Sequence, residues 1–299
     1  MEPDALIDSF GRRITSLRIS ITSKCNLNCY YCHNEGQSRD GSQMSPEHIV
    51  NIIRTASKLG VKRVKFSGGE PLMRQDFEDI LVNIPKFRNV SATTNGVLLS
   101  KRAVSLKSAG LDRVNISLDT LQPETYANIC RCNKDIHHMV LDGIQSAVHA
   151  GLTPVKLNMV MLKGINETEL DDMISFVRLF DGDVILQIIE PMDFGNYGGR
   201  VNMDAIEKNL GSRASEVVER EMHRRKKYLL DGAEVEVVRP IDNSRFCAHC
   251  SRLRVTADGK LKPCLLVDDN LVDVSRAGIH ELEPLFHKAV NLREPFYKG

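Results

Sequence analysis

Tryptophan is absent from this chain of 299 residues, and aromatic residues make up only 5% of it. A platform of rings for stacking single-stranded nucleic acid is therefore not expected. No apolar run approaches the ~18 residues that a membrane helix requires. The first residues, Met1-Glu2-Pro3-Asp4-Ala5, are acidic where a secretory leader would be basic and then apolar. Excess charge is lacking too: 40 Lys and Arg stand against 39 Asp and Glu, a formal net charge of +1. That excludes an overall polycation and leaves a nucleic-acid partner without its electrostatic footprint. The expectation is a cytoplasmic protein with no membrane and no nucleic-acid partner.

What is present points to a globular protein. The hydrophobic fraction is 42% and the charged fraction 26%, too apolar for disorder. A chain of this length buries a full core without staples and divides into about two domains. Eight cysteines in a cytosolic chain read as metal-binding or catalytic, not as a disulfide framework. Three lie between Cys25 and Cys32, three between Cys247 and Cys264, and only Cys130 and Cys132 stand apart.

The middle of the chain alternates strands and helices. Strands are expected over 17–22, 61–66, 90–94, 113–118, 155–161 and 184–189 from their period-two alternation and apolar content. The intervening helices include one opened by Ser45 as N-cap and Pro46 at its first position. Another ends near Gly151, and a third is opened by Asn166 and Glu169 as a capping box. Six such units are too few for an eight-stranded closed barrel and suit parallel β-α repeats. The candidates are an open partial barrel or a doubly wound sheet.

The strand faces help to choose. Arg18, Ser20 and Thr22 share one face, as do Arg63, Lys65 and Ser67, Asn115 and Ser117, and Lys156 and Asn158. Doubly wound strands are apolar on both faces, and a filled barrel wants branched aliphatics inside. A recurring polar face points to a sheet curved around a wet cavity, and its cations point to an anionic ligand. A solvated outer face is the other reading. After Pro191 the pattern changes: a Gly-rich loop over 192–202, a charged helix over 213–228 with its basic run 224–227 in solvent, and a strand over 233–238. A hairpin then turns at Asp258-Gly259, and a helix over 279–291 ends the chain.

Cys25, Cys29 and Cys32 follow the first strand directly, at the mouth where such folds keep their chemistry. Three thiolates in one short loop can hold a soft metal or an iron–sulfur cluster. Structural zinc with His33 as fourth ligand fits the spacing as well. Three cysteines on a four-iron cluster would leave one iron open to a ligand. The run Cys25-x3-Cys29-x-Tyr31-Cys32 resembles the signature of the radical S-adenosylmethionine superfamily, and Ser67-Gly68-Gly69-Glu70-Pro71 resembles that family's Gly-Gly-Glu-Pro motif. The resemblance implies an incomplete (β/α)6 barrel of the α/β class, like a partial TIM barrel. It also implies that the open iron chelates the amine and carboxylate of S-adenosylmethionine. Reductive cleavage then releases methionine and a 5′-deoxyadenosyl radical that abstracts a substrate hydrogen.

Cys247-x2-Cys250-x13-Cys264 again allows zinc, with His249 as fourth ligand. The segment between, Arg252-Leu253-Arg254-Val255-Thr256-Ala257-Asp258-Gly259, resembles the GTP 3′,8-cyclases, the molybdenum cofactor biosynthesis A proteins. Thr93-Thr94-Asn95-Gly96, residues 115–119, residues 163–166 and Glu190-Pro191-Met192-Asp193 agree. The likeness spans residues 17–265. It implies two four-iron, four-sulfur clusters, one on Cys25, Cys29 and Cys32 and a substrate-binding one on Cys247, Cys250 and Cys264. It places S-adenosylmethionine against Tyr31, Gly69, Glu70, Ser117 and Met192. GTP would meet Arg18, Lys65, Thr93, Lys156, Arg252 and Arg254; a triphosphate suits such a group of cations.

By the same resemblance the radical takes hydrogen from C3′ of GTP and the carbon radical attacks C8. The product is (8S)-3′,8-cyclo-7,8-dihydroguanosine 5′-triphosphate, the first step toward the molybdenum cofactor. The implied partners are an external electron donor and a downstream enzyme that forms the cyclic pterin, and a homodimer is consistent. The barrel would occupy residues 1–190, and an α+β extension, 191–299, would carry the second cluster. Two departures stand out. Gln187 replaces a family arginine, for which Arg200 or Arg239 could substitute, and the chain ends in a single Gly299 where the family has Gly-Gly. Cys130 and Cys132 match no motif of the family. Two rivals stay open: another radical enzyme with an auxiliary cluster, acting on a peptide or in the heme pathway, and a zinc-binding module.

Overall fold

The computed structural model describes residues 5–38, 40–192, 199–241 and 243–296. Six parallel strands stand side by side in chain order: β1 (Ser16–Ser20), β2 (Arg63–Ser67), β3 (Asn89–Thr94), β4 (Arg113–Ser117), β5 (Val155–Val160) and β6 (Val184–Ile189). Helices α1 (Pro46–Lys58), α2 (Phe77–Asn83), α3 (Leu99–Ser108), α4 (Pro123–Cys130), α5 (Asp135–His149) and α6 (Leu170–Arg178) connect them. The open alternative is the one realised: strand order follows chain order without reversal, and the sheet does not close on itself.

The helices cover one face of the sheet because alternation places the aliphatics there. Leu17, Ile19, Val64, Phe66, Val114, Ile116, Leu157, Met159, Leu186 and Ile188 are all buried. Each fully buried side chain of this size contributes about 1.5–3 kcal/mol. Helix α1 begins as its sequence dictates: Ser45 Oγ accepts the His48 N–H at 3.2 Å, and Pro46 needs no N–H partner. It buries Ile49, Val50, Ile52, Ile53 and Ala56 against the sheet and α9 (Ile279–Asn291).

The second half of the chain does more than cap the barrel's mouth. Two of its strands extend the same sheet in the parallel sense, β9 (Ala233–Val238) beside β6 and β10 (Arg252–Val255) beside β1. Beyond β9 lie the antiparallel β8 (Lys226–Leu230) and β7 (Glu216–Glu219); beyond β10 lie β11 (Lys260–Lys262) and β12 (Val272–Asp273). Together, among the described residues, these make one twelve-stranded sheet.

Two expectations fail. Residues 213–228 are not a helix: α7 (Met203–Arg213) ends where that helix was expected to begin, and β7 and β8 follow as a hairpin. Across the strands the charged Glu219 pairs with Lys226, and Val217 with Tyr228. Asn166 and Glu169 form no capping box. Asn166 instead donates to the Asp119 and Val160 carbonyls at 2.7 and 2.8 Å, and Glu169 accepts from Thr120 Oγ1 at 2.6 Å. Tertiary partners outcompete the local cap because both side chains are buried.

Candidate active site

The loop after β1 carries Cys25, Cys29 and Cys32, and other loops hold its shape. The Gly69 N–H donates to Thr22 O and the Glu70 N–H to Lys24 O, both at 2.8 Å. This approach is so close that a Cβ on Gly68 would lie 2.2 Å from Thr22 O, and one on Gly69 2.3 Å from Lys24 O. Both glycines of the motif are thus explained by backbone proximity. Gly69→Ala should push the cysteine loop off its place and lower S-adenosylmethionine cleavage by roughly tenfold or more. Unchanged 5′-deoxyadenosine yield from a folded variant would refute that.

Glu70 supports the same loop from beneath. Its carboxylate accepts from Leu72 N at 2.9 Å, Thr94 Oγ1 at 2.7 Å and Asn95 N at 2.6 Å. Burial pushes the carboxyl up to about 7 against the pull of these donors. Asn95 in turn reaches Asn26 Oδ1 at 2.8 Å. The Thr94-Asn95 pair therefore links β3 to the cysteine loop through Glu70. The carboxylate is turned inward to this work and is not on the wall of the cavity described below.

Tyr31 points toward the sheet and donates to Asp119 Oδ2 at 2.6 Å; Asp119 Oδ1 accepts the Val160 N–H at 2.8 Å. Burial raises the Asp119 carboxyl to about 6, with Tyr31 and Val160 opposing. The phenol is fixed over the C-terminal end of β4.

The polar faces of the strands line one cavity of about 380 Å³. Among its walls are Arg18, Arg63, Lys65, Thr93, Asn115, Ser117, Lys156 and Asn158, with Tyr31 and Met192 above them. Most of the polar face inferred from alternation is therefore internal, and the solvated reading does not hold for these residues. Ser20, Thr22 and Ser67 are buried off this wall. β10 adds Arg252 and Arg254, in register with Ser16 and Arg18 of β1.

Two carboxylates organise these cations. Glu35 bridges Arg18 at 2.9 Å and Arg254 at 2.7 Å. Burial alone would raise its carboxyl, but Arg18 and Arg254 bring it down to about 2. Glu236 of β9 contacts Lys156, Arg220 at 3.0 Å and Arg225 at 2.8 Å. Burial again opposes ionisation, and the three cations again win, holding Glu236 at about 2. Lys65 donates to Asn115 Oδ1 at 2.8 Å; burial, then Arg18 and Arg113, lower its pKa well below the ordinary lysine value.

Cys247, Cys250 and Cys264 lie on the same cavity. The short helix α8 (Ser244–Ala248) starts with Asn243 Oδ1 accepting the Phe246 N–H at 2.9 Å. Both ends of the chain pin the segment: Arg12 donates to Cys247 O at 3.1 Å and Arg293 to Cys250 O at 2.8 Å. Asp8 holds both arginines at 2.7 Å. Arg12 also donates to Pro295 O at 2.9 Å, and Glu294 and Phe296 reach the cavity wall. Gly299 and Asp193 fall outside the described residues.

Of the residues inferred from sequence, twelve share this cavity: Arg18, Tyr31, Lys65, Thr93, Ser117, Lys156, Met192, Cys247, Cys250, Arg252, Arg254 and Cys264. Cys25, Cys29, Cys32, Gly69 and Glu70 are not on its wall; they form the loops that flank Tyr31. Gln187 faces the cavity, but neither Arg200 nor Arg239 lines it, and Arg239 is paired with Asp204 and Glu207. Sequence reasoning missed Glu35 and Glu236, which carry no motif. It also missed Arg113, Arg220, Arg225 and Arg293 on the wall. Arg113 was legible, since it shares the period-two face of Asn115 and Ser117. Arg225, assigned to a solvated run, is instead ion-paired and turned inward.

The donor sets suit iron–sulfur clusters. Backbone N–H groups of Leu27 and Asn34 donate to Cys25 Sγ and Cys32 Sγ, each at 3.4 Å; at Cys25 the Leu27 N–H opposes the burial that pushes the thiol up to about 11. Arg252, Arg254 and Arg293 stand near Cys250, and Arg254 and Arg293 near Cys264 as well. Among the described residues no three His, Cys, Asp or Glu converge on a single-ion site; thiolates on a four-iron cluster stand further apart, each on its own iron. His249 turns its Nδ1 to Arg245 O at 2.9 Å.

Comparison with known proteins agrees with this arrangement. The sequence profile of the Radical SAM superfamily matches residues 19–177, and that of Molybdenum Cofactor Synthesis C matches residues 184–298. The probable GTP 3′,8-cyclase of Methanosarcina mazei is 58% identical over 304 residues, covering 99% of this chain and 91% of that protein. That of Methanocella arvoryzae is 54% identical, covering 98% and 95%. Among solved structures, Streptococcus suis SuiB bound to precursor peptide SuiA shares the fold with a TM-score of 0.65 at 15% identity, covering 92% of this chain and 64% of that one. Native anSMEcpe with bound AdoMet does so at 0.58 and 18%, covering 89% and 79%. No helix among the described residues is long and apolar enough to cross a membrane. With one profile over residues 19–177, a second over residues 184–298, and relatives matched over at least nine-tenths of their length, the chain belongs to the radical S-adenosylmethionine superfamily, within its GTP 3′,8-cyclase family.

Proposed function

We propose that this chain rearranges GTP to (8S)-3′,8-cyclo-7,8-dihydroguanosine 5′-triphosphate, the first step of molybdenum cofactor biosynthesis. The observation that carries the reading is the single cavity. It joins Tyr31 and Ser117, the cations of five strands, and the second cysteine trio within one wall. Cys25, Cys29 and Cys32 would hold one cluster, and Cys247, Cys250 and Cys264 the other. With S-adenosylmethionine bound and one electron taken from an external donor, the first cluster would supply reductive cleavage of the sulfonium to methionine and a 5′-deoxyadenosyl radical.

The chain's own residues bind and orient. Tyr31, held by Asp119, and the Gly69 backbone would border S-adenosylmethionine together with Ser117 and Met192. Arg18, Lys65, Lys156, Arg252 and Arg254 would neutralise the triphosphate, with Thr93 beside them; positioning of this kind is the main catalytic contribution a protein makes to a radical rearrangement. Glu35, ion-paired to both Arg18 and Arg254, holds the two in place and so would act as a positioning residue. The division at residue 190 then puts the two cysteine trios on opposite sides, while residues of both parts line the one cavity that would hold GTP. An external electron donor, a downstream pterin-forming enzyme, a cytoplasmic setting and a homodimer belong to the same proposal.

The test is anaerobic. Reconstituted protein with dithionite, S-adenosylmethionine and GTP should yield 5′-deoxyadenosine and the cyclised nucleotide, both dependent on GTP, by mass spectrometry. 5′-Deoxyadenosine with GTP unaltered would sink the cyclase reading. Replacing both Arg252 and Arg254 by Ala should weaken GTP binding by at least ~100-fold, since each charge-assisted contact contributes about 1.5–3 kcal/mol. Equilibrium dialysis checks this, and unchanged GTP binding would favour another radical enzyme with an auxiliary cluster.

A further inference from the structure

We infer that the β7–β8 hairpin builds a subsite for the terminal phosphate of a nucleoside triphosphate, with Arg220 and Arg225 acting beside Lys156. This rests on the reading above that GTP occupies the cavity. The cations of the wall fall into two groups that meet at Arg225, which lies close to Arg18 and Arg252 as well. Arg252 and Arg254 stand with Arg18 near Cys250, and Arg254 also near Cys264. Lys156, Arg220 and Arg225 instead converge on Glu236, and Arg113 faces the same carboxylate and Arg220.

Charge in the second group does not balance. One carboxylate with no exposed surface meets three cations. Arg225 is only 14% exposed, yet its Nε finds no partner in the protein. A buried cation with an unpartnered N–H is costly unless an anion completes it. A guanidinium offers paired N–H groups in the geometry that phosphate oxygens accept.

The part of the nucleotide with the most negative charge suits this group best. The terminal phosphate carries the second, more basic ionisation and gains most from the extra cations.

The hairpin tip is held rigidly. Arg220 N–H donates to Arg225 O at 2.9 Å, and His223 N–H to His249 O at 3.2 Å. The His223 ring stacks on Phe246 at 3.8 Å between centroids. His223 and Arg224 take left-handed backbone angles, φ 64° and 50°, a strained conformation that these contacts enforce. Arg220 and Arg225 are therefore set in place before any ligand arrives.

The experiment measures Kd for GTP and for GDP on anaerobically reconstituted holoprotein. R220Q and R225Q should each weaken GTP roughly 10- to 100-fold but GDP by less than about 3-fold, and R225K should recover part of the loss. Iron content and circular dichroism establish that each variant is intact. Equal weakening of both nucleotides, or of neither, overturns the assignment. Should R225Q fail to fold, R220Q decides alone, because Arg220 is 34% exposed. A wild-type protein that binds GTP and converts it, with variants whose GTP-to-GDP ratio is unmoved, overturns the hairpin subsite only. A wild-type protein that binds neither nucleotide overturns the GTP reading and this subsite with it.

Discussion

Cys25→Ala is expected to abolish 5′-deoxyadenosine formation while leaving the chain folded and the second cysteine trio loaded. Cys25 is exposed, so its thiol makes no contribution to the core that alanine would forfeit. Its neighbours stay fixed by contacts that do not involve it: Asn28 N–H to Cys130 O, Tyr30 N–H to Ile129 O, and the glycine contacts to Thr22 and Lys24. What is lost is the proposed cluster ligand and the Leu27 N–H contact to its sulfur. Iron should fall from about eight to about four per chain, and the thermal midpoint of the metal-free protein should not move. Iron that stays at the wild-type level would remove Cys25 from the ligand set. Iron that falls to nothing would mean that the two sites load together.

Glu236→Gln is the second large effect, and it acts on stability. The carboxylate is fully buried between Lys156, Arg220 and Arg225. Gln has the same shape but leaves three cations facing one another. Removing one partner from a buried ionic group costs about 3–5 kcal/mol. Lys156 softens the loss: burial already lowers it to about 8, with Glu236 pulling the other way, so it can shed its proton once the carboxylate is gone. The expected loss is therefore near the lower end of that range, read as a shift in denaturant midpoint without a change in slope.

The pH dependence has a definite sign. Glu236 is depressed in the folded state to about 2, below the ordinary carboxylate value of ~4.3. Its stabilisation is present above that ordinary value and disappears as pH falls through the folded one. The gap between wild type and E236Q should be widest near neutrality and shrink between about pH 4 and pH 2. A constant gap across that window would show that Glu236 acts through shape and not through charge.

How much of this could be read from residue order depends on the range of the interaction. The helix at Pro46–Lys58 starts where Ser45 and Pro46 place it, because a cap is satisfied within three residues. The helix at Ile279–Asn291 likewise has the limits its pattern implies. The polar stripe through Arg18, Lys65, Asn115 and Lys156 was visible because a strand's faces alternate with period two. The failures share the opposite property. Asn166 and Glu169 look like a local cap and are claimed by Asp119, Val160 and Thr120 from across the fold. Residues 216–230 have the charge density of a solvated helix, yet strand pairing turns Arg225 inward to Glu236.

Motifs that sit in contiguous segments are therefore legible in the residues themselves: two cysteine trios, a Gly-Gly-Glu-Pro turn, a run of parallel strands with one cationic face. Their spacing is covalent and survives any rearrangement of the chain. Packing alone settled which charges meet. The order of the sheet brings β10 beside β1 and β9 beside β6, so Arg254 finds Glu35 across 219 residues and Lys156 finds Glu236 across 80. Nothing in the neighbourhood of either glutamate marks it in advance. A carboxylate becomes a hub for cations only where burial removes the water that would otherwise screen them, and burial is a property of the folded chain.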